Sequence, residues 1–269
     1  MSRDKQQRTC VKTVILCGGY GTRIRDVADD VPKPMIPVGR LPILWHLMKY
    51  YASFGFDDFV LCLGYKGDVI KNFFLNYETA TRDVTVNLSS SKELTFHTQH
   101  DETSWKVTLA ETGAETMTGG RISRIKKYVE GERFFLTYGD GLSDVDLNEL
   151  LNFHERQKTI ATVTGVRPPG RFGELMAGED GIADHFNEKP QASEGRISGG
   201  YFVCEPAIFD VLSDSQDLVF EEEPLRALVR KRQLSVYEHN GFWQCMDTYR
   251  DWQLLNNMEK SAKAPWKIW

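Results

Sequence analysis

An apolar run that stops at two glycines is the feature that most constrains the fold of this chain. Residues Val11–Cys17 read VKTVILC and are followed by Gly18 and Gly19, which predicts a buried strand that ends in a turn. Apolar residues at helical spacing cover Ile43–Phe54, and a second short apolar run, DFVLCL, covers Asp58–Leu63. A strand, a helix and a strand in this order predict a parallel sheet.

The rest of the chain continues this α/β pattern, with one interruption. Residues Asp83–Glu111 alternate apolar and polar positions. This pattern predicts inserted antiparallel or edge strands with one solvent-exposed face. The patterns elsewhere predict further helices at Val69–Phe74, Leu147–Gln157 and Tyr249–Lys260, and further strands at Arg133–Tyr138, Thr159–Val166, Gly200–Cys204 and Leu234–Glu238. The prediction is an α/β fold in which a mixed, mostly parallel sheet is flanked by helices. We expect one domain over residues 11–269, preceded by a flexible extension over residues 1–10.

Composition excludes several classes of protein. The 269 residues are 41% hydrophobic and 26% charged, and the formal net charge is −5, which is ordinary for a globular protein and gives no basic field for nucleic acid. The five cysteines are scattered and form no CxxC pair, which indicates a reducing compartment. The polar first ten residues do not resemble a signal peptide, and no apolar run approaches a membrane span. These features predict a cytoplasmic protein without a nucleic-acid or membrane partner.

The glycine turn is a candidate anion site. Successive backbone N–H groups at the end of a strand can form a nest for phosphate oxygens. A phosphate-binding P-loop would need GK[ST], which is absent, and a dinucleotide fingerprint would need glycine where Ile24 stands. A plain strand-to-loop turn is the alternative interpretation. The candidate nucleotide-binding residues are Gly18, Gly19, Tyr20, Gly21, Thr22 and Arg23.

Lys33 lies between Pro32 and Pro34, ten residues after Arg23. The prolines restrict the backbone on both sides of the lysine. A lysine held in this way is a preplaced cation, and its position ten residues after a glycine loop makes it a candidate site residue. A surface lysine in a proline turn is the alternative.

Two aspartates are candidate ligands for a hard cation. Asp140 follows a predicted buried strand in TYGDG, and Asp247 precedes the last predicted helix in CMDTYRD. Mg²⁺ prefers one or two carboxylates together with substrate phosphates. Turn or helix-capping aspartates are the alternative. Glu188 and Lys189, in FNEKP, place a carboxylate beside a cation and could bind a ligand with hydroxyl and phosphate groups, although a surface ion pair would look the same.

Together the motifs GGYGTR, PKPM, YGDG, NEKP and MDT resemble the sugar nucleotidyltransferases, also called NDP-sugar pyrophosphorylases. The similarity extends from about Val11 to Trp269. Within that family, PILWHLMKYY, PPGRFGEL, GFWQCMDTYRD and KAPWKIW look most like the cytidylyltransferases that act on glucose 1-phosphate. The resemblance implies a Rossmann-like core, the reaction of CTP with a sugar 1-phosphate to give CDP-sugar and pyrophosphate, and a homo-oligomer.

The resemblance also implies a role for each motif residue. Arg23 and Lys33 would act on the phosphates, and Asp140 and Asp247 would bind Mg²⁺. The other implied contacts are Gly18–Thr22, Thr116, Arg121 and Gly139 for the nucleotide, and Glu188, Lys189, Ser198, Gly199 and Gly200 for the sugar phosphate. Ser198 stands where such cytidylyltransferases usually have asparagine, which offers two donors and one acceptor rather than a single hydroxyl.

Three alternatives remain open on the sequence alone. The same fold could use UTP or dTTP, or another phosphorylated polyol. The chain could also be a nucleotide-binding regulator without activity, although the presence of Lys33, Asp140, Asp247 and Lys189 argues against it. A nicotinamide dehydrogenase is disfavoured because the chain lacks GxGxxG.

Overall fold

The computed structural model describes residues 11–19, 24, 31–89, 93–167, 174–177, 183–187 and 195–269. The strands, in chain order, are β1 Lys12–Leu16, β2 Pro37–Val38, β3 Leu41–Pro42, β4 Asp58–Leu63, β5 Val84–Val86, β6 Leu94–Phe96, β7 Lys106–Glu111, β8 Phe134–Tyr138, β9 Gly141–Ser143, β10 Ala161–Val166, β11 Glu174–Ala177, β12 Ala183–Asn187, β13 Ile197–Cys204, β14 Leu234–His239 and β15 Trp243–Cys245. The α-helices are α1 Ile43–Ser53, α2 Gly67–Leu75, α3 Tyr77–Thr81, α4 Thr118–Arg124, α5 Leu147–Gln157, α6 Glu223–Arg230 and α7 Tyr249–Lys260.

Seven of these strands form the central sheet, in the order β14-β10-β13-β8-β1-β4-β7. The pairs β1–β4, β1–β8, β4–β7 and β10–β14 are parallel, whereas β13 runs antiparallel to both β8 and β10. Buried apolar clusters cover both faces of the sheet, as is typical of α/β proteins. The predicted mixed, mostly parallel sheet flanked by helices is confirmed.

The segment between residues 83 and 111 separates into two parts. Strands β5 and β6 form an antiparallel hairpin outside the main sheet. Strand β7 pairs in parallel with β4 and is an edge strand of the main sheet. The alternating pattern predicted antiparallel or edge strands correctly, although β5 and β6 contain no buried residue and only β7 is half-buried. The pattern could not assign β7 to the parallel sheet, because an edge strand can alternate whatever the direction of its neighbour.

In the described ranges, three short antiparallel ladders (β2–β3, β9–β15 and β11–β12) and three helices (α3, α4 and α6) were not predicted from the sequence. Strand β9 pairs with β15, so that Gly141 lies opposite Cys245, and β2 pairs with β3. Helix α4 begins with Thr118-Gly119-Gly120, a composition that disfavours helix, and α6 has only eight residues. None of the helices in the described part of the chain has the length and apolar character of a membrane-spanning helix.

A buried polar cluster ties α5 to the main sheet. The buried His154 ring contacts Thr162 Oγ1 at 2.7 Å and Glu205 Oε1 at 3.0 Å. Arg133 Nε also donates to Glu205 Oε1, at 2.7 Å. The hydrogen bond from His154, together with Arg133, lowers the pKa of Glu205 against the opposing effect of burial.

Glu205→Gln should therefore destabilise the protein at neutral pH by about 1–2 kcal/mol, a value discounted for partial exposure. Because the folded-state pKa is lowered, Glu205 stabilises the fold above the pKa of the free carboxyl and loses that effect as the pH falls. Melting temperatures of the two proteins should differ at pH 7 and converge below about pH 4. A difference that stays constant over this range would contradict the assignment.

Candidate active site

The carboxyl ends of neighbouring strands bring the glycine turn and Asp140 together. Strands β1 and β8 are adjacent and parallel, with Leu16 opposite Tyr138. The residues that follow them, Gly18 and Gly139, lie at the same edge of the sheet, and the Gly139 N–H donates to Leu16 O at 3.0 Å. This is the edge at which ligands bind in open α/β sheets.

Lys33 lies between Pro32 and Pro34 and is the first residue of a single 3₁₀ turn, Lys33–Met35. Its side chain is only 14% exposed, and its ammonium group contacts the carboxylates of both Asp140 and Asp247. Burial alone would lower the pKa of Lys33, but the Asp140 and Asp247 carboxylates outweigh burial and raise it. Lys33 is therefore a fixed cation at neutral pH.

Asp247 reaches this cluster through the ladder between β9 and β15. The ladder joins the segment after Asp140 to the segment before Asp247, and the Met246 N–H donates to Asp140 O at 2.9 Å. Helix α7 begins directly after its N-cap, Thr248. Three distant parts of the chain thus converge on one cation.

A cavity of about 310 Å³ opens beside this cluster. Its size is at the lower end of the range for small-molecule sites. The lining residues come from both strand ends, the 3₁₀ turn and the segment before α4: Leu16, Gly18, Gly19, Lys33, Pro34, Ala114, Glu115, Thr116, Met117, Thr118, Arg121, Tyr138, Gly139 and Asp140. Seven predicted site residues therefore line it: Gly18, Gly19, Lys33, Thr116, Arg121, Gly139 and Asp140.

Arg121 lies at the back of the cavity and directs its guanidinium at backbone carbonyls. The group donates to Leu63 O at 2.9 Å and Gly18 O at 3.1 Å, at the ends of two adjacent strands. It also donates to Thr112 Oγ1 at 2.9 Å, and to two carbonyls of the following loop, Gly113 O and Ala114 O. Arg121 therefore braces the walls of the cavity.

The bracing arginine explains why Gly18 is a glycine. A Cβ atom on Gly18 would lie 2.1 Å from the Arg121 guanidinium carbon, and one on Gly64 would lie 2.3 Å from its nearest nitrogen. The sequence suggested instead that this glycine lets the backbone approach a phosphate. The close packing of Arg121 is a separate constraint on the same residue.

Thr116 is held by a second arginine of α4. Arg124 donates to Thr116 Oγ1 at 2.7 Å and to Thr112 O at 2.6 Å. Thr116 is buried but still lines the cavity. The segment between β7 and α4 is therefore preorganised by two arginines that follow it in the sequence.

Gly199 and Gly200 lie in β13 and do not line this cavity. Gly200 has φ +77°, and a Cβ atom on it would lie 2.5 Å from the Tyr138 ring. Gly199 accepts a hydrogen bond from Trp243 Nε1 at 2.7 Å. Ser198 is exposed, opposite Gly165 in the neighbouring strand. In the described residues, Gly200 therefore packs against Tyr138, whereas Gly199 packs against Val166 and Trp243.

Tyr138 lines the cavity and was missed by the sequence analysis. Burial and the Glu221 carboxylate raise the pKa of Tyr138, and its protonated hydroxyl donates to Glu221. The other oxygen of Glu221 accepts from Thr118 Oγ1 at 2.6 Å. The sequence signal for Tyr138 as a site residue was its position directly before Gly139 and Asp140. Its hydrogen bond to Glu221 has no signal in the sequence.

Several predictions fall outside the described residues. They are Tyr20, Gly21, Thr22, Arg23, Glu188 and Lys189. Within the described ranges, no group of three or more histidine, cysteine, aspartate or glutamate side chains is arranged to bind a metal ion. A pair of carboxylates is sufficient for a cation that is also bound by phosphate oxygens.

Similarity to known proteins identifies the family of this chain. The profile of the nucleotidyl transferase family matches residues 12–253. The "Probable glucose-1-phosphate cytidylyltransferase" of Bacillus subtilis is 44% identical over 259 residues, and the glucose-1-phosphate cytidylyltransferase of Salmonella typhi is 43% identical over 260 residues. Both similarities cover 96% of this chain and 100% of the relative.

Solved structures share the fold at lower identity. HddC from Yersinia pseudotuberculosis is 22% identical with a TM-score of 0.66, covering 93% of this chain and 99% of HddC. A UDP-glucose pyrophosphorylase in complex with UDP-glucose is 16% identical, also with a TM-score of 0.66, covering 94% of this chain and 99% of that enzyme. These similarities support the fold alone.

The bracing role of Arg121 predicts the effect of a substitution outside the cavity. Gly64→Ala should lower the free energy of unfolding by about 1–3 kcal/mol, because the buried guanidinium would have to leave its acceptors. Gly141→Ala is the matched control, since an added Cβ atom there meets nothing within 4 Å. Urea unfolding measures both. Equal stability of the two variants would show that Arg121 moves aside without cost.

Proposed function

Because this chain belongs to the nucleotidyl transferase family, we propose that it joins CTP and a sugar 1-phosphate, preferably glucose 1-phosphate, to give CDP-sugar and pyrophosphate. One observation carries the proposal. Lys33, Asp140 and Asp247 converge beside the cavity in a chain that is 43–44% identical to glucose-1-phosphate cytidylyltransferases over nearly its whole length. We propose further that residues 11–269 act as one domain and that the protein is a homo-oligomer.

The reaction does not need a general base. The second pKa of a phosphate monoester is about 6, so the attacking oxygen of the sugar phosphate is largely ionised at neutral pH. That oxygen forms a bond to the α-phosphorus of CTP, while the bond from the α-phosphorus to the bridging oxygen breaks and pyrophosphate leaves in line. Among the described residues that line the cavity, none is a histidine.

The main barrier is the repulsion between two polyanions, and positioned positive charge lowers it. In this proposal the backbone N–H groups after β1 face the triphosphate. Lys33, buried and charged, reaches the reacting phosphates from the same edge of the sheet. Arg23 and Lys189 are proposed to add further positive charge, and Glu188, Ser198, Gly199 and Gly200 to contact the sugar phosphate.

The two aspartates fit a hard divalent cation. They converge on a single positive charge, the Lys33 ammonium, so the position between them is already suited to a cation. We propose that Asp140 and Asp247 hold Mg²⁺ there in the substrate complex. The ion would neutralise phosphate charge and polarise the reacting phosphoryl group.

Lys33 sets the state of the free site in this proposal. Without a cation between them, the Asp140 and Asp247 carboxylates would repel each other. The Lys33 ammonium contacts both carboxylates and offsets one of their two negative charges. A metal ion must compete with the ammonium group, whereas triphosphate oxygens offer Lys33 another partner. The proposed Mg²⁺ site is therefore weak without nucleotide because it is occupied by a lysine.

Lys33→Ala should separate catalysis from metal affinity. We expect kcat/KM to fall 10²–10³-fold, equivalent to about 2.7–4 kcal/mol of lost transition-state stabilisation. The affinity of the nucleotide-free protein for Mn²⁺ should rise, because the competing cation is gone. Steady-state kinetics and calorimetric titration measure the two effects.

Lys49→Ala is the matched control for this experiment. Lys49 is also buried and contacts Glu102 at 2.5 Å and Asp101 at 3.9 Å, but it does not line the cavity. Lys49→Ala should change neither kcat/KM nor the Mn²⁺ affinity, apart from the effect of any loss of stability. Near wild-type turnover of Lys33→Ala would show that Lys33 is only a turn residue.

Pyrophosphate release with four nucleotides and several sugar phosphates tests the proposed function. CTP with glucose 1-phosphate should give the highest kcat/KM. Ser198→Asn should lower the KM for glucose 1-phosphate if residue 198 contacts the sugar, because asparagine adds hydrogen-bonding groups. Preference for another nucleotide, or no turnover of any pair, would contradict the proposal.

A further inference from the structure

The carboxylate of Asp251, in the first turn of α7, binds the loop that carries Asp247. Its Oδ2 atom accepts hydrogen bonds from the backbone N–H groups of Asp247 at 3.1 Å and Thr248 at 2.8 Å. The same oxygen accepts from the Thr248 hydroxyl at 2.8 Å. Its Oδ1 atom accepts from the side-chain amide of Gln244 at 3.0 Å. One carboxylate therefore contacts both ends of the segment 244–248.

Helix capping explains only part of this arrangement. Thr248 and Asp251 form a capping box, in which each side chain binds the backbone of the other. The bonds from the Asp247 N–H and from Gln244 lie before the N-cap and are not needed to start a helix. Gln244 is a buried residue of β15, opposite Leu142 in β9. Asp251 thus ties the start of α7 to a strand, and Asp247 lies between the two.

The opposite side of the loop is fixed by the backbone. The Met246 N–H donates to Asp140 O, next to the ladder between β9 and β15. This bond sets the separation of the two loops. The hydrogen bond from the Asp247 N–H to Asp251 Oδ2 holds the orientation of the Asp247 peptide.

We propose that Asp251 is a positioning residue, which directs the Asp247 carboxylate toward the cation position that it shares with Asp140. The inference rests on the function proposed above for Asp140 and Asp247. Asp251 itself does not line the cavity. Partners that orient a metal-binding side chain typically affect metal affinity or activity 10–100-fold.

Asp251→Asn tests the proposal with almost no change of shape. The amide has one acceptor oxygen, so its NH₂ group must face either the three donors at Oδ2 or the amide of Gln244. We expect the Mn²⁺ affinity measured with saturating CTP to fall 10–100-fold. In crystals of the metal-free variant, the contact between Lys33 Nζ and Asp247 Oδ1 should be lost.

Asp146→Ala is the matched control. Asp146 caps α5 and accepts from the Glu149 N–H at 3.0 Å, but it makes no contact with the site. It should lower the melting temperature and leave the Mn²⁺ affinity unchanged. If Asp251→Asn behaves like this control, with Mn²⁺ affinity within twofold of wild type, Asp251 is only a capping residue and the proposal is wrong.

The two failures can be told apart. Absence of turnover in wild-type protein would contradict the proposed function, while Mn²⁺ binding and the crystal contact would still be measured. If the wild-type protein binds no Mn²⁺ in the presence of CTP, the contact between Lys33 Nζ and Asp247 Oδ1 in crystals of Asp251→Asn tests the positioning role instead. An Asp247 carboxylate that keeps its place against Lys33 in Asp251→Asn would then overturn the positioning role.

Discussion

The ammonium group of Lys33 joins three parts of the chain that are far apart in sequence. Lys33 is separated by 107 positions from Asp140 and by 214 from Asp247, and it contacts both carboxylates in a half-buried site. Two carboxylates held this close would repel each other without a cation between them. The ion pairs therefore make it possible for the ends of β8 and β15 to meet at the edge of the sheet. They also mark the place at which, in the proposed reaction, positive charge from Lys33 and Mg²⁺ meets the reacting phosphates.

The walls of the cavity depend on a second cation with a different task. Arg121 donates hydrogen bonds to backbone carbonyls at the ends of β1 and β4 and in the loop that follows β7. These bonds hold the walls of the cavity in place before a ligand binds. Preorganisation of this kind lowers the cost of ordering a site during binding. A lysine that contacts two carboxylates, beside an arginine that holds backbone carbonyls, suits a site in which one cation meets phosphate charge and the other keeps the shape of the nucleotide cavity.

Local signals in the sequence predicted much of the fold and the position of the site. Three elements have the predicted bounds: strand Asp58–Leu63 and helices Leu147–Gln157 and Tyr249–Lys260. They could be predicted because short apolar runs and helical spacing are local properties of the sequence. Asp140 was found because it follows a buried strand. The pairing of Arg121 with Gly18 and Gly64, and of Tyr138 with Glu221, could not be predicted, since each joins residues that only the tertiary fold brings together. The same reason hid Lys33 as the partner of both aspartates. The proposed catalytic and binding roles of all candidate site residues, including Arg23, Glu188 and Lys189, remain predictions.

In this proposal, Lys33 and a divalent cation bind the same two carboxylates in turn. The decisive measurement is a crystal structure of the wild-type protein with Mg²⁺ and a non-hydrolysable CTP analogue. We expect a metal ion bound by Asp140 and Asp247, with Lys33 Nζ moved from the carboxylates to the phosphates. A complex in which Lys33 still contacts both carboxylates, with the metal ion bound elsewhere, would contradict it.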